Sequence, residues 1–132
     1  MRTKLVFLVA LIFITACNSL SSSPATVVRR YIANSESGDV NGMMQLYARK
    51  AIEEKGQEKV RSDNQSFADL VEKVRGQGKT LKIEGLKESV SGDTAAVSFF
   101  YGDREKNDSV HLNFSLIKEN GEWKVYDVGP AQ

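Results

Sequence analysis

Cysteine occurs once in the 132 residues, at position 17, so no disulfide can form within the chain and a cysteine-rich metal site is excluded. Histidine also occurs once, as His111, so any imidazole chemistry has a single residue to work through. An excess of one charge is missing too: the formal net charge is +1 at pH 7. That balance leaves no electrostatic footprint for nucleic acid and no polybasic run for anionic lipid. No phosphate-cradling glycine loop, metal-ligand spacing or nucleophile elbow occurs anywhere. The expectation is therefore no metal, no cofactor and no nucleic-acid partner.

What is present suits one folded domain. Hydrophobic residues make up 41% of the chain and charged residues 27%, a normal globular balance. The length is enough for one domain and too short for two of ordinary size.

The position of the lone cysteine gives it meaning. Arg2 and Lys4 precede an unbroken apolar run, Leu5 to Ile14 (LVFLVALIFI), followed by Thr15, Ala16 and Cys17. A charged start, a short apolar centre and a small-residue exit form a secretory signal. The run is shorter than the about 20 residues a transmembrane helix needs. Ile14-Thr15-Ala16-Cys17 resembles the bacterial lipobox, whose cysteine is diacylated and becomes the new N-terminus. Residues 1–16 are thus expected to be a lipoprotein signal peptide, and Cys17 the lipidation site that holds the protein to a membrane. Loss of Arg2 and Lys4 with the signal leaves a formal charge of −1. Asn18 replaces the aspartate that, by resemblance to enteric lipoproteins, signals retention at the inner membrane. The expected location is the cell envelope, on the periplasmic face of the outer membrane where the organism has one. Residues 17–23 (CNSLSSS) read as lipidated cysteine plus flexible tether, and residues 24–132 as the domain.

Within the domain the hydrophobic period changes from helical to alternating. Ser23 and Pro24 open a helix with Val27, Val28, Tyr31 and Ile32 on one stripe, closed by Glu36-Ser37-Gly38. Asp39 caps a second helix with Val40, Met43, Met44 and Tyr47 on one face. The charged segment 51–64 reads as an exposed continuation of that helix or as a loop, with Gly56 a possible break. Ser66 begins a third helical pattern, with Phe67, Leu70, Val71 and Val74 apolar, ending at Gly76 and Gly78. From Thr80 the period is two. Leu81 and Ile83 precede an expected bulge at Gly85. Ala95, Val97, Phe99 and Tyr101 then share one face, as do Val110, Leu112, Phe114 and Leu116. Asn120-Gly121 is a strong two-residue hairpin signal before Trp123 and Val125. The expected fold is α+β, with three N-terminal helices packed on a curved four-stranded antiparallel sheet.

This order of elements resembles the cone-shaped fold shared by nuclear transport factor two and ketosteroid isomerase, and more closely the small bacterial lipoproteins of unknown function in that superfamily. The resemblance is carried by Pro24-Ala25-Thr26-Val27-Val28-Arg29-Arg30-Tyr31, by Ser37-Gly38-Asp39, by the Met43–Tyr47 segment and by Gly121-Glu122-Trp123-Lys124-Val125. It implies a cone with a cavity, used in the superfamily by enzymes, small-molecule binders and interaction modules alike. Catalytic members place an acidic residue, a tyrosine or a histidine inside the cone. No such motif matches here residue by residue, so no catalytic residue is carried over.

Candidate residues follow from the two sheet faces. Tyr31, Met43, Met44, Tyr47, Phe99, Tyr101 and Phe114 are the candidate lining of a pocket. Phe100, His111 and Tyr126 fall on the opposite face and are the candidate interface. His111 there would be wet and unconfined, a poor general base. Asp103, Glu105 and Asp108 lack the glycine and terminal glutamate of a calcium loop. The leading expectation is a membrane-anchored, non-catalytic domain that binds a partner protein or a small apolar ligand. The alternatives are an isomerase- or dehydratase-like enzyme using the cone, and a structural homodimer assembled through the outer sheet face.

Overall fold

A computed structural model describes residues 22–131. The expected signal peptide, Cys17 and most of the tether lie outside the described residues. Four helices are followed by four strands: α1 (Pro24–Glu36), α2 (Val40–Gln45), α3 (Arg49–Lys55), α4 (Gln57–Gly76), β1 (Lys82–Ser91), β2 (Thr94–Asp103), β3 (Asp108–Glu119) and β4 (Glu122–Pro130). The strands form one antiparallel meander in the order β1-β2-β3-β4, and the helices pack on one of its faces. The architecture is α+β, as the periodicity indicates.

Local chemistry sets the helix starts. The Ser23 hydroxyl accepts from Thr26 N at 3.2 Å, with Pro24 in the first turn. Asp39 Oδ1 accepts from Gly42 N at 2.8 Å to cap α2. The second helix is shorter than its apolar pattern suggests. After Gln45 the chain extends, and Tyr47 forms an isolated parallel bridge with Val125. Ala48 N donates to Val125 O at 2.7 Å, and Val125 N donates to Leu46 O at 2.8 Å. These bonds cover the edge of β4, so tertiary pairing overrides helical propensity.

The charged segment 51–64 is neither loop nor a continuation of α2. It supplies most of α3 and the N-terminal part of α4 up to Asn64, divided at Gly56, whose φ of +89° suits glycine. The count is therefore four helices where the pattern suggests three. α4 begins at Gln57 because Val60, Asn64, Ala68 and Val71 form one buried stripe, in which the amide of Asn64 interrupts the apolar signal. α3 has no side-chain cap of its own. Glu119, at the end of β3, provides one across the fold: its carboxylate accepts from Arg49 N at 2.8 Å and Lys50 N at 3.1 Å.

The sheet carries two irregularities. Register shifts between Glu84 and Lys87, where Gly85 has φ +62°, which is the bulge the sequence places there. A second shift opposite Ser115 and Leu116 leaves Tyr126 unpaired in β4. Asn120 and Gly121, both with positive φ, close the β3–β4 hairpin. The core lies between sheet and helices: Val28, Met43, Val97, Phe99, Phe114 and Val125 are fully buried, and the rings of Phe99 and Phe114 stack at 5.7 Å. Val110 departs from its expected inward place. It is 57% exposed and lines an open groove beside α4 instead of the packed core.

Candidate functional site

α1, the bridge segment, α4 and β4 converge on a concavity of about 310 Å³. Tyr31 comes from the buried stripe of α1, Tyr47 from the bridge, Val60, Asn64 and Phe67 from α4, and Val128 from β4. Tyr31 is the centre of this wall. Its ring meets Phe114 edge-on at 5.2 Å, Phe67 at 5.7 Å and Tyr47 at 6.3 Å. Its hydroxyl donates to Asn64 Oδ1 at 2.7 Å, and Asn64 Nδ2 donates to Met44 Sδ at 3.3 Å. Asn64 is wholly buried, so this pair both satisfies the amide and fixes the phenol.

Four charged groups stand at the rim in two ion pairs. Lys55 Nζ meets Asp127 Oδ1 at 2.8 Å and donates to Tyr126 O at 2.6 Å. Lys59 Nζ meets Asp63 Oδ2 at 2.9 Å. The two carboxylates are wet, with side chains 62% and 60% exposed. The tyrosines behave differently. Burial, and then the neighbouring Tyr47 phenol, raise Tyr31 far above the ordinary phenol range. Burial pushes Tyr47 up to about 12. Both are neutral near pH 7; the Tyr31 proton is committed to Asn64, so of the two only the Tyr47 hydroxyl can donate to a further acceptor. The arrangement can therefore hold an acceptor oxygen against an apolar wall, while its carboxylates remain outside, solvated and paired with lysine.

The seven expected pocket residues are distributed over several environments. Tyr31 and Tyr47 share this concavity. Met43, Phe99 and Phe114 are fully buried core behind it. Met44 lines a separate open depression with Asn41, Ile52 and Arg61. Tyr101 belongs to a second, apolar groove of about 140 Å³ between α4 and the β2–β3 end. There its hydroxyl donates to Glu36 Oε1 at 2.7 Å, and burial first, then this bond, raises it above the usual phenol range. Asn64, Lys55, Lys59, Asp63 and Asp127 complete the first concavity, and composition gave no reason to select them. The one signal for Asn64 was its place four residues after Val60 and four before Ala68.

The three expected interface residues also divide. Phe100 and His111 are register partners on the outer face, with rings stacked at 4.3 Å and Arg104 over Phe100 at 4.0 Å. Tyr126 sits instead at the β4 bulge beside α3, its hydroxyl donating to Glu54 and Lys55 Nζ 4.9 Å from its ring centre.

No protein-family model matches the chain, and no curated protein matches it in sequence. Solved structures do match in shape. A candidate ketosteroid isomerase from Shewanella frigidimarina superposes with a TM-score of 0.61 at 18% identity, over 81% of this chain and 93% of that one. A Campylobacter jejuni protein described as a candidate transpeptidase of the nuclear transport factor two-like (NTF2-like) type gives 0.60 at 21% identity, over 79% and 97%. The fold is that of the nuclear transport factor two-like proteins. A candidate dehydratase of the NTF2-like family from Streptomyces avermitilis adds a TM-score of 0.54 at 13% identity, over 82% of this chain and 93% of that one. At these identities the likeness describes architecture alone. It places the tyrosine-walled concavity on an NTF2-like framework and leaves its chemistry to this chain's own residues.

Proposed function

We propose that this protein is a lipid-anchored lipoprotein of the bacterial cell envelope whose NTF2-like domain is a non-catalytic binding module for a small, largely apolar ligand. One observation carries the binding part: the concavity presents two neutral tyrosines, Tyr31 fixed by Asn64 and Tyr47 beside it, while both of its carboxylates are solvated and lysine-paired at the rim. Such a wall can recognise an uncharged acceptor oxygen through a phenol and the rest of the ligand through Val60, Phe67 and Val128. An isomerase- or dehydratase-like mechanism calls for a shielded acid or base. His111 lies on the other face of the sheet, and Asp63 and Asp127 stand in water. The anchoring part rests on the lipobox at Ile14–Cys17 and the signal that precedes it.

Two measurements test this reading. Cys17→Ser should move the protein from the membrane to the soluble fraction, and unchanged membrane retention would remove the anchor. Native mass spectrometry of the full chain released from membranes should show a co-purifying small molecule that is lost in Tyr47→Trp, which fills the cavity. A bare protein that also fails to take up added apolar ligands would exclude the binding module.

A further inference from the structure

Phe67 belongs to two concavities at once. On one side it helps wall the tyrosine cavity, and on the other it bounds the apolar groove formed with Leu70, Val71, Val74, Leu81 and Val110. Both spaces follow one stripe of α4, with Val60 and Asn64 along the first and Val71 and Val74 along the second. From Val60 to Val74 the helix axis advances about 21 Å. The two spaces therefore lie end to end. Phe67 is only half-buried, in keeping with a ring that has open space on both sides.

The two open ends differ in chemistry. The first ends at the Lys55–Asp127 and Lys59–Asp63 pairs. The second ends at Leu70 and Val110, each 57% exposed. Those are two of the large apolar side chains most exposed among the described residues, and both line the groove.

We infer that the two concavities form a single elongated slot partitioned by the Phe67 ring, and that its ligand is a single-chain amphiphile with an uncharged polar head, of the alkylglycerol or monoacylglycerol class. The inference rests on the ligand-binding reading above and extends it. The head lies among the tyrosines and the rim, where hydroxyl groups find donors and acceptors. The rim favours an uncharged head because each lysine already has its aspartate, and Lys55 also donates to Tyr126 O at 2.6 Å. A carboxylate head would have to displace Asp127. The tail turns the Phe67 ring aside and covers Leu70 and Val110, removing exposed apolar surface from water.

Photolabelling of the full chain in lipid nanodiscs tests this with two probes, hexylglycerol and decylglycerol ethers carrying a diazirine at the chain end. The hexyl probe is expected to label the α4 peptide from Val60 to Phe67. The decyl probe is expected to label Leu70 to Val74 and the Ser109–Val110 segment, and excess unlabelled decylglycerol should abolish that labelling. Val110→Asp, at an exposed position, should remove the decyl label from the groove. Tyr47→Trp should remove it as well, since a tail in the groove is held there only when its head is seated in the cavity. Groove labelling that persists in Tyr47→Trp would show two independent sites and overturn the inference. Identical labelling by both probes would overturn it while leaving a ligand-binding cavity in place. Absence of labelling by either probe would overturn both.

Discussion

The Tyr31–Asn64 pair offers the sharpest test of how the candidate cavity is held. Tyr31 is 2% exposed and Asn64 is fully buried, so neither has water as a substitute partner. Tyr31→Phe strands the Asn64 carbonyl, and Asn64→Leu strands the Tyr31 hydroxyl. Leaving one buried polar group unsatisfied costs about 1–3 kcal/mol, so each single variant should lose about 2 kcal/mol. Additivity would put the double variant near a loss of about 4 kcal/mol. Replacing both partners with apolar groups of similar shape strands neither, so the expected loss is about 1 kcal/mol or less. Trp123, the only tryptophan and 9% exposed, reports unfolding by fluorescence in urea. At about 4–8 °C per kcal/mol, each single variant should also melt roughly 8–16 °C lower. If the double variant is as unstable as the two losses together, the hydrogen bond is not the link between α1 and α4, and the argument fails.

Three further outcomes are expected. Because Tyr47 titrates near 12 in the fold and about 10 when unfolded, its contribution to stability is complete below about pH 10 and is lost as pH rises toward 12; Tyr31 and Tyr101 shift in the same direction. Urea midpoints should hold steady to pH 10 and then fall, and phenolate absorbance rising fully near pH 10 in folded protein would contradict this. Glu119→Gln should weaken the cap on α3 by about 1 kcal/mol, and hydrogen exchange should quicken at Arg49 and Lys50 while α1 is unaffected. Gly102→Ala should cost about 3 kcal/mol or more, because φ is +134° and a Cβ there would overlap the Asp108 carbonyl oxygen; wild-type stability on thermal melting would disprove that close approach.

How much of the molecule is legible in the sequence depends on the range of the forces involved. The strands were the clearest. Val97, Phe99, Phe114, Leu116 and Val125 alternate because one sheet face is buried, and the alternation is visible wherever helices cover that face. Asn120-Gly121 and Gly85 announce their turns because few other residues tolerate positive φ. α1 was equally plain, with its serine cap, its proline and its stripe from Val27 to Ile32.

The sequence by itself determined the α+β order, the meander and the identity of most core residues, all of which follow from local period and turn chemistry. Tertiary structure alone decided where helices stop and which side chains meet. Leu46 to Ala48 leave the helix because the edge of β4 needs hydrogen-bond partners, and α3 is capped by a carboxylate seventy residues away from Arg49. Asn64 sits in a charged stretch that looks solvated, yet it is buried because Tyr31 offers it a donor from another helix. The expected pocket residues share a hydrophobic face in one dimension. In three dimensions Met43, Phe99 and Phe114 fill the core, while Tyr31 and Tyr47 are joined by lysines and aspartates from α3, α4 and β4. Period tells which side of an element is inside, but a cavity is formed where several elements fail to fill the space between them, and that depends on distances no single segment encodes.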